Sequence, residues 1–98
     1  MKVLANNCVS KIKVPKRVER ATTVDYSPVL DVYVTYNIDE GVSVWDPVSR
    51  KIIARFRDVG EGFCDTLFLP GDRVGVSSSE GNHGGTVKIY TFDRNRSK

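Results

Sequence analysis

Cysteine is scarce. The 98-residue chain holds two, Cys8 and Cys64, too few for a disulfide framework and too isolated for a zinc knuckle, so free thiols in a reducing compartment are expected. No run of about 18 apolar residues, the length that crosses a bilayer, occurs anywhere. The opening MKVLANN lacks the apolar stretch of a signal peptide. These absences point to an intracellular protein, cytoplasmic or nuclear, with no membrane partner. There is one histidine, His83. Cys64, Asp65 and His83 are the residue types of a nucleophile and base, but no oxyanion motif accompanies them, and a strand cysteine is ordinarily a small buried hydrophobe. The turn Gly81 to Gly85 (GNHGG) lacks the following lysine and serine or threonine of a phosphate loop. It reads as a flexible loop whose Asn82 and His83 are candidate contact residues. No catalytic residue, cofactor or metal site is expected, and the chain does not read as an enzyme.

Ninety-eight residues allow one domain with a single core of moderate stability. The net charge of +3 is unevenly spread. Over residues 1–20, Lys2, Lys11, Lys13, Lys16, Arg17 and Arg20 against Glu19 leave +5, and residues 93–98 leave +2. Residues 21–92 carry six bases against ten acids, or −4. Lys11, Lys13 and Lys16 alternate along a segment that reads as an edge strand, where lysines discourage unwanted pairing. With Arg17 they are candidate contact residues. With Arg20, Arg94 and Arg96 they also support a secondary reading, a basic nucleic-acid-binding module, although no base-stacking aromatic precedes Tyr26.

Helical periodicity is absent, and strand patterns take its place. Thr22 to Tyr26, Val32 to Tyr36, Val42 to Trp45, Lys51 to Phe56, Phe63 to Phe68, Val74 to Ser77 and Thr86 to Phe92 are short and rich in β-branched and aromatic residues. Val9 to Val14 makes an eighth. Turn residues separate them at Ser27-Pro28, at Asp39 to Gly41, at Asp46-Pro47, at Pro70 to Asp72 and in the glycine-rich loop at 81–85. Strands spaced in this way indicate an all-β fold of antiparallel sheet.

The pattern repeats. Val42 to Asp46 (VSVWD) returns as Val87 to Thr91 (VKIYT) at an offset of 45, and Tyr26 to Pro28 (YSP) returns as Phe68 to Pro70 (FLP) at an offset of 42. The glycine-rich loop absorbs the difference. Asp25 to Pro28 followed by a strand, then Asp39 to Asp46 (DEGVSVWD), then Lys51 to Phe56 resembles a repeat of the WD-repeat β-propeller family. Asp65 to Asp72 with Gly85 to Tyr90 resembles a second, degenerate copy. The resemblance covers residues 20–92. It implies a basic N-terminal segment with an outer strand at 1–20, repeats at 21–58 and 59–92, and a basic tail at 93–98.

From the resemblance follows a partial propeller of two four-stranded WD-type blades. It also implies a hydrogen-bond network in which Trp45 meets a strand hydroxyl, here Thr35, with Asp39 in the tight turn and Asp46 closing the strand. The family's histidine is missing, its positions falling near Val18 and Gly60. Arg55 and Arg57 resemble the paired arginines of phosphoinositide-binding propellers, but Phe56 separates them and Asp58 follows, so a solvated outer-strand pair is expected. Two blades cannot close a ring. An isolated chain would leave Thr86 to Phe92 without an outer partner and expose an apolar face. The expected role is therefore a noncatalytic protein-interaction scaffold or subunit of a larger protein complex. Its partners would be other protein chains, such as further propeller blades, or copies of itself in a homo-oligomeric ring.

Overall fold

A computed structural model describes residues 11–57, 64–79 and 85–93. Seven strands follow one short 3-10 turn, η1 (Lys16–Val18): β1 (Thr23–Ser27), β2 (Val32–Asn37), β3 (Gly41–Trp45), β4 (Ile52–Phe56), β5 (Cys64–Leu69), β6 (Arg73–Ser79) and β7 (Gly85–Thr91). No α-helix occurs among the described residues. All pairing is antiparallel, in a four-stranded sheet β1-β2-β3-β4 and a three-stranded sheet β5-β6-β7. The all-β expectation holds. The second sheet has three strands among the described residues. Of the strand expected over Val9 to Val14, residues 11–14 are described and take no strand conformation. The chain there runs instead into Pro15, whose fixed φ of −58° leads into η1.

Local chemistry explains the turns. Between β2 and β3, Asn37 Oδ1 accepts the Glu40 N–H at 2.6 Å, and Gly41 takes a φ of +75°. A Cβ on Gly41 would lie 2.5 Å from the Phe56 carbonyl oxygen, so only glycine fits. After Trp45, Asp46 Oδ1 accepts the backbone N–H groups of Val48 and Ser49 at 2.7 and 3.0 Å. That side-chain mimic of a backbone turn reverses the chain toward β4. An aspartate therefore ends the strand because it folds the next turn.

Register assigns each sheet two faces. On the front of the first sheet stand Val32, Val34, Tyr36, Val42, Val44 and Phe56; on its back stand Tyr26, Tyr33, Thr35, Ser43 and Trp45. On the back of the second sheet stand Cys64, Thr66, Phe68, Val74, Val76 and Tyr90; its front carries Leu67, Leu69, Gly75, Val87 and Ile89. The first sheet's front packs on the second sheet's back, forming one core from Val32, Val34, Tyr36, Val42, Val44, Cys64, Val74, Val76 and Phe92. The sheets approach most closely at β1 and β5. There the Asp25 carboxylate accepts the Phe68 N–H at 2.7 Å and the hydroxyls of Thr23 and Thr66 meet at 3.2 Å. Farther out, Phe56 stacks on Tyr90 with ring centroids 4.4 Å apart.

The repeat is structural as well as sequential. Asp25 pairs with Val34 and Val34 with Val44, as Leu67 pairs with Gly75 and Gly75 with Ile89. Tyr26, Tyr33 and Trp45 form the next row, matched by Phe68, Val74 and Tyr90. Equivalent faces thus point in the same direction, and each sheet offers its front to the next one's back.

Candidate functional site

On the back of the first sheet, three aromatic residues lie side by side across three strands. Tyr26 meets Tyr33 at 4.7 Å, and Tyr33 stacks on Trp45 at 5.0 Å. The register dictates this row, because each residue faces the next across its ladder. The Trp45 indole N–H donates to Thr35 Oγ1 at 3.2 Å, both residues being buried. A buried indole N–H needs such an acceptor. Thr35 and Trp45 are therefore brought together, whereas Asp39 and Asp46 stand apart from them. Asp39 is exposed and lies 3.9 Å from Arg20, an exposed ion pair of little energetic weight. Asp46 serves the β3–β4 turn. Val18, at a position where the resemblance would place histidine, is a buried valine in η1.

Lys11, Lys13, Lys16 and Arg17 all expose their side chains. The backbone here is anchored, since the Arg17 carbonyl accepts Asn37 Nδ2 at 3.3 Å. Asn82, His83, Arg94 and Arg96 lie outside the described residues. Arg57 is 68% exposed, as a solvated outer-strand residue should be, whereas Arg55 is 21% exposed and departs from that expectation. Both donate to Glu40 Oε2, at 2.6 and 3.2 Å, and Arg55 is largely buried. Glu40 ends the β2–β3 turn, which places its carboxylate beside the outer strand.

Cys64 is a buried free thiol at the start of β5, while Asp65 faces the opposite side and its Oδ1 accepts the Thr66 N–H. Strand alternation separates the two side chains, so they do not form a working pair. The thiol instead forms a hydrogen bond with the Tyr36 hydroxyl. Burial first, and that bond second, raise the Tyr36 pKa above the ordinary phenol value. Both residues line a cavity of about 690 Å³ with Arg20, Thr22, Ile38 and Asp39. Among the described residues no group of three or more histidine, cysteine or carboxylate side chains is placed to hold a metal ion.

The second sheet's front is different in kind. Leu67, Val87 and Ile89 are 58%, 70% and 56% exposed. They border a groove of about 290 Å³ that also touches Leu69 and Gly75. Beside it, β7 pairs with β6 on one side and with no strand on the other among the described residues. The alternation of β7 was legible in the sequence. Leu67 and Leu69 were not, because the run Thr66 to Leu69 (TLFL) hides which leucines share a face until Phe68 is seen to point inward.

These features define an all-β protein of two stacked antiparallel sheets. Among the described residues no helix is long and apolar enough to cross a membrane. Compared with known proteins, the chain matches no family model, and no curated protein and no solved structure shows significant similarity to it.

Proposed function

We propose that this chain is a noncatalytic protein-interaction module, built as two adjoining WD-type blades and acting as a scaffold or as a subunit of a larger assembly. One observation carries the reading: the front face that is buried in the first sheet is repeated, in equivalent rows, on the second sheet and left open there. Repeating sheets that bury their faces only on neighbours leave a terminal face fit for protein contact. A second reading, nucleic-acid binding, is favoured by the exposed side chains of Lys11, Lys13, Lys16, Arg17 and Arg20.

One experiment separates the two. The tagged chain is purified from its native cells with and without nuclease, over a series of salt concentrations. A stoichiometric protein complex that survives nuclease and moderate salt supports the scaffold. A complex lost to nuclease, or binding that falls steeply with salt and flattens when the three lysines are neutralised, supports the nucleic-acid reading.

A further inference from the structure

The front of the second sheet carries aliphatic side chains in its middle and opposite charges toward its two ends. Leu67, Gly75 and Ile89 form the central row, with Asp65, Ser77 and Val87 on one side of it and Leu69, Arg73 and Thr91 on the other. Leu67, Val87 and Ile89 are more than half exposed, and Asp65 and Arg73 are exposed as well. The first sheet's front has neither charge. Thr23 stands there in the place of Asp65, and Val32, a buried core residue, in the place of Arg73. We propose that two copies of this chain associate front to front through this face, about a two-fold axis that runs across the strands and sets Asp65 of each copy beside Arg73 of the other.

The change between repeats selects this occupant. A further sheet with an apolar back like the one that covers the first front would bury Arg73 without a counter-charge, which is costly. Stacking head to tail on another copy is closed, since Thr35, Ser43 and Trp45 on the first sheet's back are 2%, 0% and 1% exposed. The front itself supplies both charges. With the axis along the strands and through the sheet's centre, Arg73 would meet Arg73, and like charges directly opposite are destabilising. With the axis across the strands, Leu67 lies on Leu67 and Ile89 on Ile89, and Asp65 lies over the other copy's Leu69, one strand away from Arg73. That spacing, about 4.8 Å, is within reach of an arginine side chain.

Arg73 Nε donates to the Pro70 carbonyl at 2.7 Å, and Asp65 Oδ1 accepts the Thr66 N–H at 2.9 Å. A guanidinium has five N–H donors and a carboxylate about four acceptor sites, so both groups keep capacity for an ion pair. Three strands of ordinary spacing and rise make a face of roughly 15 Å by 20 Å. That is well below the roughly 800 Å² per partner of a stable complex, so the association is weak, with a Kd of about 100 μM.

The inference rests on the reading of this front as a protein-contact face, and sedimentation of the purified full chain tests it separately. Over a range from about 5 μM to about 1 mM, which spans that Kd, a monomer–dimer equilibrium is expected with no larger species, because a two-fold contact closes. Asp65→Lys alone and Arg73→Glu alone should each weaken the dimer about tenfold, since each sets two pairs of like charges together. Mixing the two variants should restore association as a heterodimer, and a chain carrying both substitutions should dimerise as the parent does. Leu67→Asp with Ile89→Asp, both at exposed positions, should abolish association while leaving the circular dichroism spectrum unchanged.

A chain that stays monomeric throughout, growth beyond the dimer, a dimer that survives the double aspartate substitution, or charge variants that mixing does not rescue overturns the proposal. A nuclease-resistant complex with other proteins, formed by a chain that is monomeric on its own, would sink self-association while leaving the scaffold reading intact.

Discussion

β3 and β7 occupy the same place in two copies of one pattern, yet every residue of β3 is buried and six of the seven in β7 are exposed. Neither hydrophobicity nor strand pairing with the preceding strand separates them: Val42 and Val44 face the same way as Val87 and Ile89. Among the described residues β3 has strands on both flanks and a second sheet across its front, whereas β7 has a strand on one flank and an exposed front. Burial is thus a property of position in the stack. The same contrast runs through the polar residues. Asp25 holds the Phe68 N–H between the sheets, while at the equivalent row of the second sheet Leu67 faces outward.

The largest expected difference is between the two aromatic strand ends. Trp45→Ala should cost about 3–5 kcal/mol, since it removes a fully buried ring, its stack on Tyr33 and the partner of the Thr35 hydroxyl. Tyr90→Ala, at a half-buried ring stacked on Phe56, should cost about 1–2 kcal/mol. Equal losses in urea unfolding would break the comparison.

Next come the aliphatic pairs. Val44→Ala should cost about 2–3 kcal/mol by lost burial and the cavity left behind. Ile89→Ala should stay within about 0.5 kcal/mol. A large loss at Ile89 would mean that the second sheet's front is covered in the free chain, and the solution mass would show by what.

The glycines sharpen the contrast in a different way. Gly41→Ala is expected to cost about 1–3 kcal/mol, because it combines a positive φ with a contact against the Phe56 carbonyl. Gly75, the counterpart of Val34, has room for a Cβ at 3.4 Å from Leu69 Cδ1. Gly75→Ala should therefore change stability by less than about 0.5 kcal/mol. If both substitutions are tolerated, the tight β2–β3 turn does not govern the first sheet.

The smallest effect is one of pH. Tyr36 keeps its proton to higher pH in the folded chain than in the unfolded one, so the unfolded chain releases protons first. Stability should be flat in this respect below about pH 10 and decline above it as the unfolded phenol ionises. Tyr36→Phe should make that alkaline decline shallower. An unchanged slope in thermal unfolding between about pH 9 and 11 would remove Tyr36 from the account.

Much of this architecture can be read from residue order. The seven strands of the described residues begin and end within two residues of the segments marked by alternation and turn residues, because β-branched runs closed by proline, glycine, asparagine and aspartate leave few other ways to pair the backbone. The Trp45–Thr35 contact was expected only from the resemblance; ten residues apart across a tight turn, the two fall two apart in register. Less legible was everything that joins different turns and sheets. Glu40 captures both Arg55 and Arg57 only because the β2–β3 turn folds beside β4. Tyr36 reaches Cys64 only because one sheet lies on the other. Residues 11–14 alternate like a strand but form none, since pairing requires a partner edge and a pattern alone does not supply one.

By itself, then, the sequence determined the antiparallel all-β class, the repeat, the turn at Asp46 and, except in β5, the faces of the strands. Those depend on local backbone preference and a period of two, which neighbouring residues fix. Only the tertiary structure decided that Val42 and Val44 are core while Val87 and Ile89 are surface, because burial depends on what stands across from a face. Side chains of identical pattern cannot encode that difference; the stacking of one sheet on the next creates it.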